Sequence, residues 1–117
     1  MLKLQSKAKI YWYNGTIDMR KSINGLCAIV VDELSGTLQS GDCFIFINKN
    51  KNRVKILLWD KGGFVIYYKR LEHGKFKLPK LDGLSIAITE TQLSWLLAGL
   101  DFYLMEMHSE LHYAHYY

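Results

Sequence analysis

The chain is poor in the residues and runs that mark unusual folds. It has one proline and two cysteines in 117 residues, and no Lys or Arg follows residue 80. Half of its residues are hydrophobic and 22% are charged, which excludes a disordered or collagen-like chain. No apolar run approaches the roughly 20 residues that a membrane-spanning helix needs. These values indicate one globular domain with a single core.

Signals for export are also lacking. Cys27 and Cys43 lie in apolar segments and form no CxxC pair, so we expect two reduced core thiols and no disulfide framework. The N-terminal segment MLKLQSKAKIYWY has no uninterrupted apolar stretch and no small-residue cleavage site. The sequence therefore predicts a cytoplasmic protein without a signal peptide and without a membrane partner.

Catalytic motifs are missing as well. A DDE nuclease holds its carboxylates together around two metal ions about 4 Å apart. Here the candidate carboxylates are isolated in sequence: Asp18, Asp60, Glu72 and Asp101. There is no nucleophile elbow and no Walker-type phosphate loop. We therefore predict that the protein is not an enzyme and uses no cofactor and no small-molecule substrate.

A histidine-rich tail is the best candidate for a metal site. His108, His112 and His115 would share one face of a continued helix, and three imidazoles can bind Zn²⁺ or Ni²⁺. No neighbouring residue that would orient the rings is evident. We predict no metal site and treat residues 104–117 as a C-terminal extension, either helical or poorly ordered, that follows a domain over residues 1–103.

The net charge of +4 is unevenly distributed. Residues 49–80 hold ten Lys or Arg and two acids, whereas residues 81–117 hold five acids and no Lys or Arg. This segregation favours a polyanion partner, with DNA as the first candidate and a solvated basic hairpin as the alternative. The candidate DNA-binding residues are Arg20, Lys21, Lys49, Lys51, Arg53, Lys55, Lys69, Arg70, His73, Lys75 and Lys77.

Two features of this basic segment suggest how it would meet DNA. Every second residue from 49 to 55 is basic, so an extended chain would place these cations on one side. Tyr67, Tyr68 and Phe76 interleave with the charges and could stack on exposed bases. The alternative is that Tyr67 and Phe76 belong to the core.

The N-terminal part of the chain predicts a strand followed by a helix. Residues 8–13 are rich in β-formers and stop at the turn signal Asn14-Gly15. Apolar spacing predicts a helix near 17–34, with Thr16 or Asp18 as its N-cap. Arg20 and Lys21 would lie in its first turn and join the DNA site, although Arg20 could instead pair with an acid such as Asp18.

Three strands are predicted next, over residues 43–48, 53–60 and 64–71. Their short connections permit only antiparallel hairpins. A two-residue turn at Lys61-Gly62 would pair Trp59 with Phe64, whereas a three-residue turn would place Lys55 opposite Lys69, which is repulsive. The sequence leaves this register open.

The last elements are a β-like run at 84–88 and a helix from about 90 to 103. Thr89 and Gln92 fit the capping box. Trp95 is either exposed for contact or closes the core from the rim. The order β-α-β-β-β-(β)-α predicts one α+β domain, with two main helices and an antiparallel sheet of about four to five strands.

Several motifs occur together in one order. They are Asp18-Met19-Arg20-Lys21, Gly25-Leu26, the run RVKILLWD at 53–60, the run YYKRLE at 67–72, Gln92-Leu93 and Gly99-Leu100-Asp101. In this order and spacing the chain resembles the accessory protein of bacterial insertion-sequence-66-type transposons (TnpB-like). The resemblance implies a protein encoded beside a larger DDE transposase and a second small accessory protein, which assists transposition without performing strand transfer.

Charge and resemblance together predict a non-catalytic accessory factor of transposition. Its expected partners are DNA, with the transposon ends as one candidate, the transposase and the second accessory protein. An interaction module that docks the transposase without contacting DNA is the alternative. A small nuclease using Asp60, Glu72 and His73 is a third, less favoured hypothesis.

Overall fold

The computed structural model describes residues 4, 8–34, 41–78 and 83–99. They form seven elements, in the order β1 (Ile10–Thr16), α1 (Ile23–Glu33), β2 (Cys43–Ile47), β3 (Arg53–Asp60), β4 (Gly63–Arg70), β5 (Ser85–Ile88) and α2 (Glu90–Leu97). The predicted α+β class is confirmed, and the four later strands lie where the sequence placed them to within one residue at each end. No helix in the described ranges is long and apolar enough to cross a membrane.

The five strands form one sheet in the order β4-β3-β2-β1-β5. Three neighbouring pairs are antiparallel, as predicted. The β1–β2 pair is parallel, so the expectation of a wholly antiparallel sheet is corrected at this pair. The reason is the connection: α1 returns the chain to the end where β1 began, and a helical crossover of this kind joins parallel strands.

The helices cover opposite faces of the sheet. Alternate residues of β2 enter two separate cores, and the whole strand is buried. The α2-side core contains Ile10, Trp12, Cys43, Ile45, Ile47, Val54, Ile56, Leu58, Phe76, Ile88, Leu93 and Leu96. The α1-side core contains Ile17, Leu26, Ile29, Val30, Phe44, Phe46 and Leu57.

The segment between β1 and α1 differs from the prediction. β1 continues through Asn14-Gly15 instead of turning there, because the Asn14 backbone N–H donates to the Leu84 carbonyl oxygen at 2.8 Å. The helix begins only at Ile23, after Ser22, whose side chain makes no capping hydrogen bond. The predicted Thr16 or Asp18 cap is therefore wrong. Residues 17–22 form a loop at the end of the sheet, and this loop carries Arg20 and Lys21.

The β3–β4 hairpin has the two-residue turn. Lys61 and Gly62 both have positive φ, 45° and 91°, as a type I′ turn requires. Trp59 pairs with Phe64, and their ring centroids lie 4.9 Å apart. Lys55 consequently faces Tyr68 instead of Lys69, which avoids the repulsive pairing.

Helix α2 begins with the predicted capping box. The Thr89 hydroxyl oxygen accepts from the Gln92 backbone N–H at 3.1 Å, and the Gln92 side chain accepts from the Thr89 N–H at 2.9 Å. The helix ends at Leu97, earlier than predicted, and Gly99 follows with φ 81°. Trp95 is half-buried and packs against the α2-side core, so it closes the core from the rim. The tail with His108, His112 and His115 lies outside the described residues.

Candidate nucleic-acid interface

Three segments meet at the end of the sheet where β1, β2 and β4 finish and β3 begins. The loop 17–22 is joined to β2 by the Ile17 N–H, which donates to the Ile47 carbonyl oxygen at 2.9 Å. Segment 71–77 is joined to the turn 48–52, because the Phe76 N–H donates to the Lys51 carbonyl oxygen at 2.7 Å. We call this the basic end; its cationic residues are Arg20, Lys21, Lys49, Lys51, Arg53, Lys55, Arg70, Lys75 and Lys77, with His73 beside them.

The turn 48–52 is fixed by an asparagine. The Asn48 side-chain oxygen accepts from the backbone N–H groups of Asn52 and Arg53 at 3.1 and 3.0 Å. Its amide nitrogen also donates to the Asn52 side-chain oxygen at 2.7 Å. The one-sided row predicted from residue 49 to residue 55 is wrong for Lys49 and Lys51, which precede β3, but both are exposed on this turn.

Lys55 connects β3 to the loop 17–22. Its ammonium group donates to the carbonyl oxygens of Met19 and Lys21, both at 2.7 Å. The same nitrogen lies 5.7 Å from the centroid of the Tyr68 ring. Lys55 is half-buried and fixes the loop while keeping its positive charge at the basic end.

A groove of about 470 Å³ lies between the loop 17–22 and the turn 48–52. We call it the basic groove; its lining includes the cations Arg20, Lys49, Arg53 and Lys55, the amides Asn48 and Asn50, and the Tyr68 ring. The amides are contacts that the charge argument missed, although the polar run NKNKN at 48–52 was a visible signal. Cations, amide donors and an accessible ring in one concave site are the chemistry of nucleotide recognition.

Arg53 lines this groove, and one nitrogen of its side chain is unsatisfied. Its Nε atom is buried and, among the described residues, has no hydrogen-bond partner. Leaving such a donor unpaired costs about 1–3 kcal/mol. Arg70 lies directly opposite Arg53 in the β3–β4 register, and like charges in this position repel. An anion held at the groove by the Arg53 side chain would offset this repulsion.

Two of the arginines are paired with neighbouring acids. Arg20 Nη2 lies 2.6 Å from an Asp18 carboxylate oxygen, and Arg70 Nη2 lies 2.7 Å from a Glu72 oxygen. Hydrogen bonds from Arg20 lower the pKa of Asp18 to about 2. The Arg20 side chain is 91% exposed, and exposed pairs of this kind contribute little. A phosphate can therefore compete for either arginine.

Lys69 does not belong to the basic groove. It pairs with Val54 in the β3–β4 register, and Val54 belongs to the α2-side core, so Lys69 points to the opposite face. Its ammonium group donates to the Leu97 carbonyl oxygen at 2.6 Å. This contact satisfies a carbonyl at the C-terminal end of α2, where a cation also complements the helix dipole.

The three interleaved aromatics have different positions. Phe76 is 2% exposed, which confirms its interpretation as a core residue, and Tyr67 is half-buried and packs against the same α2-side core. Tyr68 is 48% exposed. Within the described ranges it is the aromatic residue left open to solvent, and it lines the basic groove.

The remaining titratable candidates do not form a metal or thiol site within the described part of the chain. No group of three His, Cys, Asp or Glu residues there is placed to hold a metal ion. Burial raises the pKa of the Cys43 thiol to about 12, and burial also raises the pKa of Cys27. Both cysteines are free thiols, and a protonated thiol is a poor nucleophile and ligand.

Comparison with known proteins gives a family match over most of the chain. Residues 8–107 match the sequence model of a family described as IS66 Orf2 like protein. The uncharacterized protein y4jC of Sinorhizobium fredii is 35% identical over 85 residues, or 73% of either chain. A second uncharacterized protein of that organism, y4hO, is 32% identical over 101 residues, covering 86% of this chain and 88% of its own. No solved structure matches the chain.

Proposed function

The chain belongs to the IS66 Orf2-like family, and on that premise we propose that it is a non-catalytic accessory protein that binds DNA through its basic end and so assists the transposase. The family associates it with IS66 transposition in an accessory role. The proposal has three further parts: the contact with DNA, the partnership with the transposase and the second accessory protein, and the absence of catalysis.

The observation that carries the proposal is the convergence of cations at one end of the sheet. Three separate segments contribute them, and the two carboxylates that the described residues place there, Asp18 and Glu72, are each already paired with an arginine. Asp42, Asp60 and Glu90 lie at the opposite end, where β2 and α2 begin and β3 ends. A DNA backbone is a continuous line of negative charge, and neutralising its phosphates is the largest source of sequence-independent affinity.

Binding to DNA at several salt concentrations tests this proposal. Fluorescence anisotropy would compare a labelled duplex from the end of the protein's own element with a scrambled duplex of equal length. We expect the logarithm of affinity to fall with the logarithm of salt concentration at a slope of about −5, which corresponds to five or six neutralised phosphates. The difference between the two duplexes measures recognition of the element's ends.

A matched pair of double variants tests which end of the protein contacts DNA. Lys49→Gln with Lys51→Gln removes two charges from the basic end, and Lys9→Gln with Lys61→Gln removes two from the opposite end. Each double variant changes one lysine with positive φ, Lys51 in the first and Lys61 in the second, so the two variants carry a similar risk of altering a turn. We expect the first variant to reduce the salt slope by about two and the second to retain the wild-type slope.

Two results would overturn the proposal. One is the absence of binding to either duplex at low salt, which would leave the basic end as a docking surface for an acidic segment of the transposase. The other is an equal loss of affinity in the two double variants, which would mean that the contact does not depend on the basic end.

A further inference from the structure

The exposed ring of Tyr68 lies at the basic groove among cations. Lys55 Nζ lies 5.7 Å from its centroid, which holds the ring at the wall of the basic groove. With 48% of the residue exposed, the ring remains accessible to a flat apolar group. Aromatic side chains in basic grooves are the platforms on which unpaired bases stack.

The size of the groove argues against a buried duplex. Its volume of about 470 Å³ lies within the roughly 300–1,000 Å³ of pockets that hold small ligands. Inside a duplex the base faces are covered by their neighbours and only the terminal pair has one free face, whereas an unpaired nucleotide can turn its base freely towards Tyr68. The groove therefore fits one strand segment, while a duplex would reach only the exposed cations at its rim.

The donors around the ring complete the site. Arg53 lies beside Lys55 on β3, Lys49 lies on the adjacent turn, and all three cations line the groove. Arg53 and Lys49 offer donors for a phosphate in the same groove that Tyr68 lines. Asn48 is committed to fixing the turn, but the Asn50 side chain lines the groove with a donor and an acceptor for base edges.

Building on the DNA-binding function above, we propose that the basic groove binds an unpaired DNA nucleotide, with its phosphate at Arg53 and Lys49 and its base stacked on Tyr68. The exposed lysines of the basic end then hold the double-stranded part of the same DNA. The protein would accordingly prefer a duplex that ends in an unpaired strand.

Three labelled probes of the same duplex sequence test this assignment. The first is blunt, the second carries a few unpaired nucleotides at one end, and the third carries abasic nucleotides there, which keep the phosphates and remove the bases. A 2-aminopurine in the second probe reports stacking through loss of its fluorescence. Tyr68→Phe keeps the ring, and Tyr68→Leu replaces it with an aliphatic side chain.

We expect the wild type and Tyr68→Phe to bind the unpaired end about fivefold or more tighter than the blunt end, since a stacked base adds at least that factor. The abasic probe should lose most of this gain. In Tyr68→Leu the affinity ratio should fall to about one, and the 2-aminopurine signal should no longer change on binding. Thermal unfolding of each variant verifies that it is folded.

The inference fails if the unpaired end gives no gain, or if the gain survives in the abasic probe or in Tyr68→Leu. Salt-dependent binding to the blunt duplex would then still support the proposed function. Absence of binding to all three probes at low salt would instead overturn the proposed function itself, so the two failures are distinguishable.

Discussion

Lys55 donates a hydrogen bond of 2.7 Å to the carbonyl oxygen of Met19, and this contact ties the third strand to the loop that follows the first. A second bond of the same length reaches the Lys21 carbonyl oxygen. The ammonium group thus replaces water for two backbone acceptors. Lys55 thus fixes the part of the loop 17–22 that forms a wall of the basic groove, in addition to the bond from Ile17 to Ile47.

Replacing Lys55 with methionine should lower the free energy of unfolding by about 1.5–3 kcal/mol, because hydrogen bonds to charged groups contribute that much. Urea unfolding measures it, with Lys61→Met in the exposed hairpin turn as the control. We also expect Lys55→Met to weaken DNA binding, since the loop loses its anchor. Equal unfolding free energies for the two variants would show that the contact does not stabilise the loop.

Replacing Lys69 with methionine should separate stability from DNA binding. Its bond to the Leu97 carbonyl oxygen stabilises the end of α2, so we expect a loss of about 1–2 kcal/mol in unfolding free energy. The salt slope of DNA binding should stay that of the wild type, in contrast to Lys49→Gln. A slope that falls in Lys69→Met would place this residue on the DNA-binding surface after all.

The Asp18–Arg20 pair should give a pH-dependent contribution to stability. The folded pKa of Asp18, about 2, lies below its ordinary value of 3.8, so the ionised carboxylate favours the folded state. The difference in unfolding midpoint between the wild type and Asp18→Asn should be constant above pH of about 5 and disappear as the pH falls through about 2. A difference that persists unchanged at the lowest pH would contradict this.

The Cys43 thiol should be unreactive in the folded protein. Its pKa is raised to about 12, chiefly by burial and further by the negative charges of Asp42 and Glu90. In a Cys27→Ala background, a disulfide reagent at mildly alkaline pH should modify Cys43 only as the protein unfolds, and immediately in urea. Because the folded state disfavours the thiolate, we also expect stability to fall as the pH rises from about 9 towards 12. Rapid modification of the native protein would contradict the assigned burial.

The features that the sequence predicted correctly have local causes. The β3 boundaries follow from one continuous β-forming run, and the capping box of α2 needs only Thr89 and Gln92. The two-residue turn was one of two alternatives until the positive φ values of Lys61 and Gly62 settled it. In each case the deciding groups lie within a few residues of one another.

The features that the sequence missed depend on distant partners. The late start of α1 and the parallel β1–β2 pair involve the bond between Ile17 and Ile47, which no local pattern reports. For the site, composition identified the cations but not their faces. Lys69 and Arg70 are neighbours in sequence, yet strand alternation sends one to α2 and the other towards Arg53.

The strand order also constrains the order of folding. β2, β3 and β4 are consecutive in the chain and pair through short turns, so their contacts close at small entropic cost. β1 does not pair with a strand that a short turn joins to it. It pairs with β2 across the helical crossover and with β5, whose Ile88 pairs with Ile10, so its contacts can form only after those strands have been made. During synthesis the three antiparallel strands β2, β3 and β4 can pair while α2 is still being made. We therefore expect the loop 17–22, which forms one wall of the basic groove, to reach its final position late in folding, after β1 has joined the sheet.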